Sequence, residues 1–184
     1  MSVILTPPMS VTLSPLYDAE AIRRRVYELA ADISRTYAGQ ELTAIIVMNG
    51  GLFFAADLLR GIRIPVRIDS LPAGSYMHHL STGELTMRGR LKLAVQDRHV
   101  LLIDDILDTG FTLAEIRKII LADKAASCRT CVLIDKDIPP EKKKANADWY
   151  GFRAPEEFLV GYGMDSDELY RNLPDICILR ESEN

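Results

Sequence analysis

The feature that most constrains this chain is an alternation of short apolar runs with amphipathic stretches. Leu42 to Met48 is aliphatic and rich in β-branched residues, and it stops at Asn49-Gly50-Gly51. Leu52 to Arg60 then carries helical spacing up to Gly61, and Ile64 to Ile68 is a second apolar run. A strand, a helix and a strand within about thirty residues form a βαβ unit, which pairs its strands in parallel. The pattern returns further on. Val100 to Ile103 reads as a strand, Thr112 to Asp123 as a helix with Leu113, Ile116, Ile119 and Ile120 inward, and Thr130 to Ile134 as a strand. Runs that are apolar throughout suit strands covered on both faces. The expected fold is α/β, an open, mostly parallel sheet flanked by helices. Upstream, Ile22, Val26, Leu29, Ile33 and Tyr37 make one face of a helix that Pro15 and Asp18 precede and Gly39 ends.

A chain of 184 residues is expected to be one domain. No repeat or Gly/Ser linker divides it. Pro72 to Val95 is irregular and polar, with Gly74, Gly83 and Gly89, the character of a functional flap. Trp149 to Leu179 has strand-like runs broken by Pro155, Gly161, Gly163 and Pro174, and reads as a small subdomain around the tail. A formal charge of -4 argues against a general nucleic-acid coat, which needs a basic face. Three cysteines, an odd number, argue against a secreted disulfide framework. Met1 to Tyr17 is uncharged but lacks a basic start and is interrupted by Pro7, Pro8 and Pro15. The uncharged run Leu42 to Ala56 is shorter than the ~20 apolar residues of a membrane span. A soluble cytoplasmic protein is expected, with no membrane contact.

The chemistry is concentrated in Val100 to Thr112. An apolar strand runs into Asp104, Asp105 and Asp108, turns at Thr109-Gly110 and opens a helix near Thr112. Ligands of open α/β sheets bind outside the carboxyl ends of strands. A helix start offers free N–H groups, Thr109 and Thr112 add hydroxyls, and Gly110 allows close backbone approach: a phosphate cradle. The carboxylates can accept from sugar hydroxyls or hold hydrated Mg²⁺. One loop thus suits a ribose diol and its 5-phosphate. The plainer reading is that Asp108 and Thr109 cap the helix while Asp104 and Asp105 are solvated at a strand end. Neither G-x-x-x-x-G-K-[ST] nor G-x-G-x-x-G is present.

The segment Val100 to Thr112 closely resembles the phosphoribosyl-pyrophosphate motif of type I phosphoribosyltransferases. Four other segments narrow the resemblance to hypoxanthine-guanine phosphoribosyltransferases. Val47-Met-Asn-Gly-Gly51 resembles their pyrophosphate loop, Gly74-Ser-Tyr76 the start of their mobile loop, and Leu133-Ile-Asp-Lys136 the segment bearing their purine-recognising lysine. Trp149 to Asp165, followed by Tyr170-Arg-Asn-Leu173, is similar to their C-terminal signature. The resemblance implies the type I fold over 1–184, with a core at about 38–148. A small hood subdomain would come from the N-terminal segment and about 149–184.

It also implies an activity: transfer of the 5-phosphoribosyl group from 5-phosphoribosyl 1-pyrophosphate to hypoxanthine or guanine, giving IMP or GMP and pyrophosphate. Mg²⁺ would be the cofactor, and the chain a homo-oligomer, dimer or tetramer. By resemblance, Asp104 and Asp105 face the ribose hydroxyls and metal. Asp108, Thr109, Gly110, Phe111 and Thr112 hold the ribose 5-phosphate, with Asp108 also the general acid/base at purine N7. Ile106 packs on the base, Lys136 donates to its 6-oxo group, Phe158 stacks on it and the Leu159 carbonyl accepts from its edge. Asn49, Gly50 and Arg171 bind pyrophosphate, Asp165 holds a second Mg²⁺, and Ser75 and Tyr76 lie on the mobile loop. The Met48–Asn49 peptide is expected to be cis. Many relatives have lysine where this chain has Asn49. Two alternatives stand beside this reading: a xanthine-preferring enzyme, and a nucleotide-sensing RNA-binding regulator of the same fold. Cys128-Arg-Thr-Cys131 leads into a strand without a second pair at zinc spacing, so neither redox nor metal chemistry is expected there. His78-His79 and Lys142 to Lys144 are expected to be solvated.

Overall fold

The structure is a computed structural model that describes residues 10–72 and 91–182. In chain order it contains β1 (Ser10–Tyr17), α1 (Ala19–Thr36), β2 (Leu42–Met48), α2 (Leu52–Gly61), β3 (Val66–Pro72), β4 (His99–Leu107), α3 (Phe111–Ala122), β5 (Ser127–Lys136), β6 (Trp149–Ala154), β7 (Leu159–Val160) and β8 (Ile176–Ser182). A short 3₁₀ turn, Pro140–Lys142, follows β5. Five strands form one parallel sheet in the order β3-β2-β4-β5-β6.

The sheet is buried on both faces, and strand alternation divides its side chains between two cores. Ala44 and Ile46 of β2, with Leu101 and Ile103 of β4, meet α1 and α2 on one side. Ile45 and Val47, with Val100 and Leu102, meet Leu113, Ile116 and Ile120 of α3 on the other. Helix α1 presents Ile22, Val26, Leu29, Ala30 and Ile33 as its buried stripe. It starts where the Asp18 carboxylate accepts from the Ala21 N–H at 2.7 Å, satisfying one of the free donors of its first turn.

A second, antiparallel sheet, β1-β8-β7, joins the two ends of the described chain. It leans on the core through Tyr17, whose ring stacks on Phe152 at 4.2 Å between centroids. The Tyr17 hydroxyl also donates to the Arg153 carbonyl.

Three boundaries differ from expectation. Strand β3 begins at Val66, past Pro65, which has no N–H for the ladder but whose carbonyl accepts from Leu42 N at 3.0 Å. Strand β4 runs on to Leu107, so Asp104 and Asp105 lie within it, because Ile106 and Leu107 continue its pairing with β5. The stretch Trp149–Ala154, grouped with the hood in the sequence, is β6 of the large sheet, paired with β5. Among the described residues, no helix is long and apolar enough to cross a membrane.

Candidate active site

Strand β2 leads outward to β3 on one side, while β4 leads to β5 on the other. The gap between the carboxyl ends of β2 and β4 is therefore the point where the strand order reverses, the usual ligand crevice of such sheets. A cleft of about 410 Å³ opens there, lined from β2 by Val47 to Gly50 and from β4 and α3 by Asp104 to Ile106 and Asp108 to Leu113. Asp165 and Arg171 close it from the C-terminal part of the chain. A larger hollow, about 720 Å³, lies at Leu91–Gln96 and Ala122–Lys124; with one carboxylate and one amine it gathers no comparable chemistry.

Asp104 and Asp105 are not solvated: each is 8% exposed. Each carboxylate accepts from the next backbone N–H, Asp105 N at 3.0 Å and Ile106 N at 2.9 Å. Burial, reinforced by the adjacent Asp105 charge, holds the Asp104 carboxyl well above the usual carboxylate range. Burial also raises Asp105, with the Arg171 guanidinium pulling the other way. Two crowded, poorly hydrated carboxylates are a site that attracts positive charge. Gly50 lies against them, since a β-carbon there would clash with the Asp105 carboxylate.

Asp108 does not cap the helix. The N-cap of α3 is Gly110, at φ 77°, with no side-chain cap. The Thr109 hydroxyl reaches Phe111 N at 3.4 Å. The first-turn N–H groups of α3 thus face the cleft beside Thr109 and Thr112, an anion-binding arrangement. Gly110 cannot carry a side chain here without meeting the Ala145 β-carbon and backbone N, each at 3.0 Å. The Asp108 side chain, 56% exposed, faces Lys136 Nζ at 3.7 Å, and Lys136 itself is only 14% exposed. One open carboxylate and one enclosed ammonium therefore stand together at the edge of the cleft, with Ile106 packed against the core beside them.

Of the other expected residues, Asn49, Gly50, Asp165 and Arg171 line the cleft and Phe158 and Leu159 do not. Asn49 is exposed and follows a cis Met48–Asn49 bond. Arg171 is ion-paired to Asp165 at 2.8 Å and to Glu168 at 3.0 Å, and donates to the Gly163 carbonyl at 2.8 Å. The carboxylate expected at a metal thus first anchors the guanidinium expected at pyrophosphate. Leu159 is buried in the small sheet, and Phe158, just before β7, is 53% exposed; neither lines the cleft. Ser75 and Tyr76, with His78 and His79, lie outside the described residues.

Sequence reasoning missed a charged group beside Lys136. Asp135, 5% exposed, pairs with Lys143 at 2.7 Å and Arg153 at 3.4 Å. The lysine run is therefore only partly solvated: Lys142 pairs with Glu156 at 3.0 Å, Lys143 is enclosed, and Lys144 N donates to the Thr109 carbonyl at 2.7 Å. Nothing in the spacing announces this, although a buried carboxylate at the penultimate position of an apolar strand is itself a signal that a cation is near. Cys128 and Cys131 are buried and unpaired in β5. Burial pushes the Cys128 thiol up to about 11 and Cys131 further still, so neither is a ready thiolate.

A sheet with its cleft at the strand reversal, a buried aspartate pair and a helix-opening turn defines a site suited to a sugar phosphate. The phosphoribosyl transferase domain matches residues 12–167, and the chain belongs to that family. It is 37% identical over 177 residues to hypoxanthine-guanine-xanthine phosphoribosyltransferase of Tritrichomonas foetus, covering 96% of this chain and 97% of that protein. It is 38% identical to hypoxanthine-guanine phosphoribosyltransferase of Aquifex aeolicus, over 92% of this chain and 96% of that one. The crystal structure of a hypoxanthine-guanine phosphoribosyltransferase from Bacillus anthracis superposes with a TM-score of 0.83 at 34% identity, covering 93% of this chain and 99% of that chain.

Proposed function

We infer that the chain is a purine-salvage transferase, moving the 5-phosphoribosyl group from 5-phosphoribosyl 1-pyrophosphate to hypoxanthine or guanine. One observation carries the reading: a single cleft joins the Thr109–Thr112 turn, a buried carboxylate pair and Asp108, with Lys136 facing Asp108 from just outside it. The turn Asp108–Thr112 holds the 5-phosphate through backbone N–H groups, Phe111 among them, and the Thr109 and Thr112 hydroxyls. Asp104 and Asp105 accept from the ribose hydroxyls. Asp108 takes the purine proton as the ring nitrogen attacks the ribose, a contribution of roughly 10²–10⁴-fold for general base catalysis. Lys136 is donor-only, so it satisfies a 6-oxo group and opposes a 6-amino group. Ile106 packs on the base and the pyrophosphate lies between Asn49, Gly50 and Arg171; Phe158 and the Leu159 carbonyl, which stand outside the cleft, are assigned to the base by the family resemblance alone. Ser75 and Tyr76, outside the described residues, are assigned to the mobile loop by the family resemblance alone.

Among the described residues, no three His, Cys, Asp or Glu side chains cluster as a metal site. The Asp104–Asp105 pair fits instead an ion that keeps its water and draws other oxygens from the substrate, as Mg²⁺ does with one or two carboxylates. When bound, Mg²⁺ supplies positive charge to the departing pyrophosphate. Asp165 is first the counter-ion of Arg171 and would hold a second Mg²⁺, partly through water. The reading extends to a cytoplasmic homodimer or homotetramer.

Pyrophosphate release with hypoxanthine, guanine, xanthine and adenine tests the whole. Turnover is expected with hypoxanthine or guanine, little with adenine, and none after chelation until Mg²⁺ is restored. Xanthine is included because the Tritrichomonas foetus relative is named for it. No turnover with any purine overturns the reading.

A further inference from the structure

The loop that carries Asp165 and Arg171 buries Met164 in the core and meets it at two further points, only one of which belongs to the cleft. At the first, Gly163 rests directly on the Asn49–Gly51 turn: a β-carbon on Gly163 would clash with the Gly50 carbonyl oxygen. At the second, the Tyr162 hydroxyl donates to the Asp57 carboxylate of α2 at 2.6 Å, across 105 residues of sequence. Because α2 starts immediately after Gly51, Asp57 and Gly50 belong to one turn-and-helix unit.

We propose that Tyr162 is a positioning residue: through Asp57 it fixes the Arg171 loop against the Asn49–Gly51 turn and so sets the hold on the pyrophosphate group. The proposal rests on the phosphoribosyl-transfer reading above. Tyr162 sits at φ 49°, between Gly161 at 96° and Gly163 at 107°. A tyrosine in that left-handed region is held there by its surroundings rather than by preference. Its own N–H donates to the Leu173 carbonyl at 2.8 Å, and Gly163 N donates to the Arg171 carbonyl at 3.0 Å. The Gly163 carbonyl accepts from the Arg171 guanidinium. Displacing Tyr162 therefore displaces the backbone at Arg171 and Leu173 and one acceptor of the Arg171 guanidinium. Without the Asp57 bond, the loop is held by Gly163 on Gly50 and by Met164 in the core, while its Tyr162 end loses the tie to α2. Burial and the Asp57 carboxylate raise the phenol above its usual range, so it remains a donor throughout the working pH.

A merely structural tyrosine would lower thermal stability and leave the substrates' Michaelis constants in proportion. A positioning tyrosine separates them. For Tyr162→Phe, KM for 5-phosphoribosyl 1-pyrophosphate, and for pyrophosphate in the reverse direction, should rise about three- to tenfold, the size of an ordinary net hydrogen bond. The purine KM should stay within about twofold of wild type. Asp57→Asn keeps an acceptor and should lie near wild type. Asp57→Ala should match Tyr162→Phe, and the double variant should be no worse than either. Equal shifts in both Michaelis constants, or a lowered Tm with neither moved, overturn the proposal. Should Tyr162→Phe fail to fold, Asp57→Ala gives the same readout. Titration of wild type and Asp57→Ala with pyrophosphate and Mg²⁺ separates the two levels. Weaker binding in the variant, with no purine turnover in wild type, supports the loop and rejects the purine reading. Equal binding rejects the loop whatever the turnover.

Discussion

The wall of the cleft from Asp104 to Thr112 is an unbroken strand, turn and helix, whereas the wall bearing Asp165 and Arg171 is a loop held from elsewhere. The polar side chains of the first wall bond to backbone of the same wall, Asp104 to Asp105 N, Asp105 to Ile106 N and Thr109 to Phe111 N, although its backbone also pairs with β5 and accepts from Lys144 N. The second depends on Gly50, on Asp57 and on carboxylates within its own loop. A local wall presents fixed groups to whatever binds, and tolerates changes in distant parts of the chain. A borrowed wall inherits the position of every element it leans on.

Four substitutions separate the walls. The largest effect is expected of Asp108→Asn, which keeps the shape and removes the base. Its kcat should fall about 10²–10⁴-fold while the thermal midpoint hardly moves, measured by pyrophosphate release and calorimetry. Activity within a few-fold of wild type would remove Asp108 from proton transfer. Next comes Gly163→Ala, which adds a β-carbon against the Gly50 carbonyl on a left-handed backbone. Urea unfolding should show a loss of about 2–4 kcal/mol. The control is Gly39→Ala, also left-handed but with open space around it, where only the backbone preference of about 1–2 kcal/mol is lost. Equal losses would mean that the two loops do not press on each other. Lys136→Ala should then erode discrimination against adenine about 10–100-fold, with KM for 5-phosphoribosyl 1-pyrophosphate unchanged. Intact selectivity would move base recognition elsewhere.

The smallest effect is electrostatic. The folded Asp104 carboxyl binds its proton more tightly than the unfolded one. Stability therefore falls as pH rises from about 4 through the folded value, and the full penalty stands above it. Asp104→Asn, which keeps an acceptor for Asp105 N, should raise Tm by about 2–5 °C at neutral pH. The gain should shrink towards pH 4, and activity should be lost. A gain independent of pH would place the effect in packing rather than charge.

The local wall was legible because everything it needs is contiguous. Apolar Val100 to Ile103 fixes the strand, Gly110 the turn, and the periodicity of Leu113, Ile116 and Ile120 the helix face. The parallel sheet was legible for the same reason, since βαβ spacing is a local signal. Strand β6 was not: Trp149-Tyr-Gly-Phe-Arg-Ala154 alternates weakly, and its place in the large sheet comes from pairing with β5. Nor was the Asp135–Lys143 pair or the Tyr162–Asp57 bond, each joining residues that no short-range rule relates. The resemblance to a known family supplied Asp165 and Arg171 as separate groups. That they hold each other is a fact of three-dimensional placement.

The pairing of β1 with β8 has a consequence for the order in which the molecule is made. Strand β1 leaves the ribosome before any strand of the large sheet, yet its partner, residues 176–182, follows all of them. The five-stranded sheet, with its phosphate turn, can pack as soon as β6 has emerged. The small sheet must wait for contacts spanning most of the chain, the slow kind in folding. During synthesis the sugar-phosphate half of the site is therefore shaped first, and the loop bearing Arg171 is set when β8 finds β1.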